Sequence, residues 1–359
     1  MATNHYEDLR SQYQWTHKPL IASAPMRMIA TCPLALAVSR AGGLGFLGAG
    51  TDVSTLPNLL SEAKTALEAS PVPKSSEDIL PIGVGFICWG ADLPLALSAI
   101  ESAPLKPAAA WLFAPRDNEE LVRWTEGIRK ASNEKTKIWI QVGTVAAALE
   151  AARTCNPDVL VIQGADAGGH GLVQSSSLIA LFPECQDALV GAGFKSIPLI
   201  ATGGIMDGRG VAAALTLGAS GVCMGTRFLA SPEAVISEGY RKAVVEASDG
   251  GVTTARTTVY DKARGTHGWP DTYNARGVLN QSFWDSQRGM SEEENRKLYE
   301  EAVQMGDEGW GEKGRMTTYA GAGVGLATKV MPAGEIVQEV LRDYIERLGE
   351  ISSQFLSVQ

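Results

Sequence analysis

The sequence predicts an α/β fold, a (β/α)8 TIM barrel with an insertion after the eighth strand that lies over the barrel mouth. Three observations predict it. Short apolar runs alternate with longer helix-period segments, which is how βα units around a parallel sheet read in sequence. Eight such runs are present, the number that closes a barrel. Finally, the first run is followed by Ala24-Pro25-Met26-Arg27 and not by the GxGxxG turn that an open, doubly wound sheet would want there.

Taken in order, the eight runs occupy residues 20–24, 44–47, 82–86, 109–113, 137–142, 159–163, 198–202 and 221–224. Helix candidates follow them at residues 33–41, 54–69, 93–102, 118–131, 145–153, 177–190, 208–217 and 232–246. Asp117 is placed to cap the helix after the fourth run, and Gly218 to end the one after the seventh. Ser231 before Pro232 reads as an N-cap followed by proline at the first helical position. From residue 248 to about residue 325 the pattern changes to glycine, tryptophan and tyrosine among charges, with a polar helix at 291–305. A closing helix spans 333–348. The expected division is a barrel of residues 1–247 and 326–359, with residues 248–325 as the insertion.

Composition excludes several classes of function. A chain of 359 residues, 45% hydrophobic and 20% charged, buries a large core without disulfides or metal. Cys32, Cys88, Cys155, Cys185 and Cys223 are odd in number and lack metal-ligand spacing, so they read as buried thiols of a reducing compartment. A formal charge of -9 with no basic run argues against nucleic acid as a partner. The first ten residues lack the basic-then-apolar order of a secretory signal, no apolar run has the length of a membrane span, and the last five residues match no lipidation or peroxisomal signal. A cytoplasmic protein with no membrane partner is expected.

The sixth run leads through Gly164, Gly168 and Gly169 to His170 and Gly171, so a histidine stands where a barrel presents its chemistry, at a strand's carboxyl end. A neutral imidazole, with a pKa of about 6.5, suits proton abstraction from carbon near neutrality. A turn histidine bonded to backbone is the other reading. Asp166 stands four residues earlier, to orient the imidazole or to close the turn. His5 and His17 fall in the polar N-terminal segment, and His267 in the insertion, where packing or a lid role is the natural reading. Gly203 and Gly204 after the seventh run, with Gly225 and Thr226 after the eighth, offer backbone N–H groups, a hydroxyl and a helix start at the place where such barrels hold phosphate. A phosphate-bearing cofactor is expected. Trp269, Trp284, Trp310 and Tyr319 either cover the substrate or build a small core of their own.

Five motifs in this order resemble the nitronate monooxygenase family, formerly called 2-nitropropane dioxygenases. They are Ala24-Pro25-Met26, Ser39-Arg-Ala-Gly-Gly-Leu-Gly-Phe46, Gln163-Gly-Ala-Asp-Ala-Gly-Gly-His170, Ala201-Thr-Gly-Gly-Ile205 and Met224-Gly-Thr-Arg-Phe228. Arg264-Gly-Thr-His-Gly-Trp-Pro270 and Tyr319-Ala-Gly-Ala-Gly-Val-Gly325 resemble fungal-type members. The resemblance implies an FMN-binding TIM barrel that oxidises alkyl nitronates with O2, and nitroalkanes if it also takes the neutral form, to a carbonyl compound and nitrite. His170 would be the base or hold the nitronate. By the same resemblance Ala24 and Met26 would line the flavin ring, Gln163 and Gly168 would contact the ring or the ribityl chain, and Gly203, Gly204, Gly225 and Thr226 would hold the phosphate.

Two positions depart from the bacterial pattern. Gly85 stands near where many bacterial relatives carry an asparagine that reaches the flavin, and Arg27 stands where they have a small residue. Arg27 is read as a partner either of an anionic substrate or reduced flavin or of a neighbouring carboxylate. Arg27, Trp269 and Tyr319 are the substrate-side candidates. An FMN-dependent enoyl reductase using NAD(P)H and a flavin-binding pathway protein with altered chemistry are the alternative functions. The apolar insertion leaves a homodimer open.

Overall fold

The computed structural model describes residues 5–356, so the outermost residues of both terminal stretches read above, and the side chain of His5, lie outside it. Eleven strands follow in chain order: β1 (Leu20–Ser23), β2 (Phe46–Gly50), β3 (Ile79–Ile87), β4 (Lys106–Phe113), β5 (Lys137–Val142), β6 (Val159–Gln163), β7 (Gly169–Leu172), β8 (Leu199–Thr202), β9 (Gly221–Met224), β10 (Thr254–Thr257) and β11 (Tyr273–Val278). Eight of them form one parallel sheet in the order β1-β9-β8-β6-β5-β4-β3-β2. A parallel bridge between Ala22 and Leu44 closes the ring, with Leu44 N donating to Ile21 O at 2.9 Å and Ser23 N to Leu44 O at 3.1 Å. Every residue of β1, β8 and β9 is buried, because helices cover the outside of the ring and side chains fill its inside.

The eight expected runs are the eight barrel strands. The second is displaced, to Phe46–Gly50, and Leu44 serves only in the closing bridge. Inside the ring, Phe46 packs on Trp111 at 5.3 Å and on Trp139 at 5.2 Å between ring centres. Each such aromatic pair adds about 1 kcal/mol beyond the area it buries. Trp139 Nε1 donates to the Tyr13 hydroxyl at 2.8 Å, and Trp15 Nε1 to Gly43 O at 3.0 Å, so the N-terminal segment is fastened to the barrel through two indoles.

The helix signals mostly hold. Asp117 accepts from Glu120 N at 2.7 Å as the N-cap of Asn118–Ser132, and Gly218 follows Gly208–Thr216 in the left-handed region at φ +103. The Ser231 cap does not hold. Its hydroxyl instead donates to Phe228 O at 2.8 Å behind a single turn, Thr226–Leu229. The longer helix begins later, at Glu238–Glu246, where Ser237 Oγ accepts from Tyr240 N at 3.3 Å. The closing helix runs Ala333–Ile351 and packs on Gly208–Thr216 and Cys32–Arg40.

Residues 248–325 carry β10, β11, the helices Val259–Arg264 and Gln281–Gln287, and the polar helix Glu292–Gln304 capped by Ser291. A second sheet, in the order β10-β11-β7, is antiparallel and joins this segment to the loop after β6. Among the described residues no helix is long and apolar enough to cross a membrane, and no group of three or more His, Cys, Asp or Glu residues could hold a metal ion.

Candidate active site

β6 delivers Gln163 at its carboxyl end, and the glycines behind it turn the chain back to enter β7. Gly169, at φ +67, makes that reversal, and His170 then pairs with Ala275 of β11. Gln163 Nε2 reaches His170 O at 3.5 Å. Two guanidinium groups fasten the same turn from behind: Arg256 donates to Ala165 O at 3.2 Å and to Ala167 O at 3.1 Å, and Arg276 donates twice to Ala165 O, at 3.2 and 3.3 Å.

His170 is held on three sides. Its Nε2 lies 3.0 Å from Asp261 Oδ2 and 3.1 Å from Oδ1. Trp269 stacks on the imidazole with ring centres 3.7 Å apart and planes 5° from parallel. The Tyr319 ring centre is 5.6 Å away, and its hydroxyl donates to Asp261 Oδ1 at 2.9 Å. Burial first, and the Asp261 carboxylate next, push the Tyr319 phenol well above its usual range, so it stays a donor. Arg264 lies over the Tyr319 ring at 5.4 Å. Trp269 is braced in turn by Trp89, Phe113 and Tyr273 at 5.4 to 6.0 Å.

One cavity of 520 Å³ at the carboxyl ends of the barrel strands takes in His170, Asp261, Trp269 and Tyr319 and most of the candidates named from the sequence, though not Asp166 or Trp284. Ala24, Met26 and Arg27 line it from the loop after β1, and Gln163, Gly168 and His170 from the loop after β6. Gly203 and Gly204 line it after β8, and Gly225 and Thr226 after β9. Trp269 and Tyr319 line it from the segment that follows β9. Gly203 and Gly204 take φ of +104 and +78, and among the described residues no acceptor takes the backbone N–H of Gly203, Gly204 or Gly225. Thr226 Oγ1 accepts from Gly321 N at 2.9 Å, which leaves its proton free to be donated.

Several readings need correction or sharpening. Asp166 makes no hydrogen bond to the imidazole among the described residues; its backbone oxygen accepts from Ala322 N at 2.9 Å, which ties the turn to the segment that carries Tyr319. Asp261 is the partner, 91 residues from His170 in sequence. No local motif marks it, and only the fold brings it there. Gly168 lines the cavity, yet a Cβ on it would collide with the backbone of Ala320 and Gly321, so packing against that segment requires its small size. A Cβ at Gly85 would collide with Pro25, which leaves no room for the bacterial asparagine. Trp310 lines the cavity and stacks on Tyr240 at 4.8 Å, whereas Trp284 is 42% exposed, lies outside the cavity lining and meets the ring of Phe283 at 5.1 Å. No ion pair of Arg27 is found among the described residues; hydrogen bonds from Ser54 first, and the Arg27 charge as the least cause, hold the Asp52 carboxyl below its usual range. His17 and His267 are exposed and lie away from the cavity lining.

A barrel mouth that pairs unpartnered backbone N–H groups with a histidine–carboxylate couple at the carboxyl ends of the strands defines the class, an α/β-barrel enzyme. The family model for nitronate monooxygenase matches residues 125–343. A nitronate monooxygenase from Metarhizium robertsii is 49% identical over 335 residues, 92% of each chain. A second, from Neurospora crassa, is 36% identical over 365 residues, 96% of this chain and 94% of the relative. The chain belongs to the nitronate monooxygenase family and is an oxidoreductase that oxidises nitronates. Among solved structures, FabK from Thermotoga maritima superposes with a TM-score of 0.71 at 24% identity, covering 96% of this chain and 98% of the other. A nitroalkane oxidase from Streptomyces ansochromogenes does so with 0.70 at 22%, covering 96% and 99%. At such identities these two speak for the barrel alone.

Proposed function

We propose that the cavity binds FMN and that the protein uses O2 to convert a small alkyl nitronate into a carbonyl compound and nitrite. Nitronate monooxygenases are flavin-dependent in general. The observation that carries the choice of a phosphate-bearing flavin is the meeting, in one 520 Å³ cavity, of the free N–H groups at Gly203, Gly204 and Gly225 with the His170–Asp261 couple. The N–H groups and the Thr226 hydroxyl would hold the phosphate without a lysine. Asp166, near Gly204, is offset electrostatically by Arg256 and Arg276, so its charge does not oppose an anion there unaided. Ala24, Met26, Gln163 and Gly168 would line the ring and the ribityl chain. The chemistry supplied by bound FMN is two-electron oxidation of the nitronate, with O2 as the final acceptor.

His170 is the base for a neutral nitroalkane. Its lone-pair nitrogen takes the α-proton, the C–H bond breaks, and the electron pair stays on the substrate as the nitronate. A nitronate that arrives already anionic needs no base, and His170 then holds it. Trp269, stacked on the imidazole at 3.7 Å between ring centres, fixes the plane of the ring. Arg27, Trp269 and Tyr319 would meet the substrate. The same reading divides the chain into an FMN-binding barrel, residues 1–247 and 326–359, and a mouth segment, residues 248–325, and the five unpaired cysteines suit a reducing cytoplasm.

Nitrite release and flavin absorbance of His170→Asn test this. The variant should keep its flavin spectrum and lose about 100-fold or more of its turnover of neutral nitroalkane. Unchanged turnover would remove His170 from the proton transfer. Wild-type protein that is reduced rapidly by NADPH and releases no nitrite from nitronates would overturn the function itself.

A further inference from the structure

Asp261 is the only carboxylate among the residues lining the cavity, and both of its oxygens are engaged. Tyr319 donates to Oδ1 at 2.9 Å, while His170 Nε2 lies 3.0 Å from Oδ2. Two donors on one acceptor fix which imidazole nitrogen carries hydrogen. A carboxylate only accepts, so Nε2 must be the N–H, and Nδ1 is left with the lone pair. We propose that Asp261, anchored by Tyr319, is a positioning residue that locks His170 as the Nε2–H tautomer and makes Nδ1 the proton-accepting nitrogen. The role in turnover rests on the reading of His170 as the base; the control of the tautomer does not.

The surroundings leave this task to Asp261. The indole of Trp269 covers the imidazole face and offers no acceptor along the ring plane. Arg264 is placed across the Tyr319 ring, where its charge faces the phenol. Arg256 and Arg276 donate to the carbonyls of Ala165 and Ala167, and Asp166 stands with them behind the turn. Asp261 sits on the helix Val259–Arg264, while His170 sits on β7 and Tyr319 on the segment bridged to Gly277 of β11. Three separate elements therefore meet at one carboxylate.

Asp261→Asn is the informative change because it keeps the shape and alters the donor pattern. Tyr319 would keep the amide oxygen at the Oδ1 position and turn the NH2 toward Nε2. An NH2 there donates to Nε2 in place of accepting from it, which shifts hydrogen toward Nδ1, although the amide oxygen stays 3.1 Å from Nε2. Removing the phenol as well, in Asp261→Asn with Tyr319→Phe, frees the amide to turn its oxygen back.

The test uses full-length protein labelled with 15N-histidine, with and without added FMN, read by long-range 1H–15N spectra across a pH series, which tell each neutral tautomer from the imidazolium. Wild type should show the Nε2–H tautomer at His170, and Asp261→Asn the Nδ1–H tautomer. In flavin-loaded protein, Asp261→Asn should lower kcat/KM about 100-fold or more for a neutral nitroalkane and by less than about threefold for the corresponding nitronate. The double variant should recover about tenfold over Asp261→Asn with the neutral substrate. The same tautomer in wild type and Asp261→Asn, or equal losses with both substrates, would overturn the proposal. A tautomer switch together with normal nitroalkane turnover in His170→Asn would sink the base assignment alone and leave the tautomer control standing.

Discussion

At His170 the imidazole is clamped between a carboxylate at 3.0 Å and an indole at 3.7 Å, so its orientation is set before any substrate arrives. Such preorganisation is what lets one base act on a weak carbon acid. Gly203 shows the opposite kind of dependence, on what is absent. A Cβ there would stand 2.9 Å from Gly164 O at φ +104, a conformation that costs a side chain roughly 1–3 kcal/mol. Gly203→Ala should therefore weaken FMN retention about tenfold or more, measured as the flavin to protein absorbance ratio after dialysis; full retention would free the position from the phosphate role. At this scale the sequence showed His170 and the glycines, since each stands at a strand end inside a local motif. It did not show Asp261, whose helix Val259–Arg264 has no motif and reaches His170 only through the second sheet.

That second sheet is the element on which the site depends. β7 reads Gly-His-Gly-Leu, a string with no alternation and two glycines, so nothing local marks it as a strand; pairing with β11 makes it one. β10 and β11 bring Arg256 and Arg276 directly opposite one another, and both spend their donors on carbonyls of the turn before His170. Burial first, then the neighbouring Arg276 charge, lowers the Arg256 pKa to about 10, yet the group stays cationic at neutral pH. Arg276→Met should loosen that turn, with faster hydrogen exchange at residues 165–171 and slower turnover, while exchange in the barrel strands is unchanged. Exchange that rises everywhere would mean the arginine holds up the whole fold. The Ser231 misreading belongs here too, because a serine before a proline is a sound cap signal. Phe228 O took the hydroxyl, and Ser237 capped the helix.

Across the whole molecule the barrel was legible because its parallel strands, buried on both faces over most of their length, appear as short apolar runs, as β6, β8 and β9 do. The mouth segment was legible only as a change of composition, since its two strands and short helices earn their burial from the barrel and from one another. All five cysteines are buried and unpaired. A thiol reagent at pH 8 should find none of them in the folded protein and five after denaturation, and rapid labelling of the native state would contradict that burial. Burial first, then Glu62, raises the Cys32 thiol from 9.0 to about 11, and burial first, then Glu184, raises Cys185 to about 12. Unfolded thiols therefore ionise at lower pH than folded ones. Their contribution to stability is complete below pH 9.0 and is lost as pH rises toward 11 and 12, so the urea midpoint should fall across that window. A midpoint that holds steady or rises there would contradict it.

The central claim, a flavin at this mouth oxidising a nitronate, is tested most directly by anaerobic titration of the FMN-loaded protein with a short alkyl nitronate, followed by admission of O2. The account predicts that the nitronate bleaches the flavin, that NADPH does not, and that O2 restores the colour with nitrite in solution. A flavin left oxidised by the nitronate, or bleached by NADPH with no nitrite from any nitronate, would contradict it.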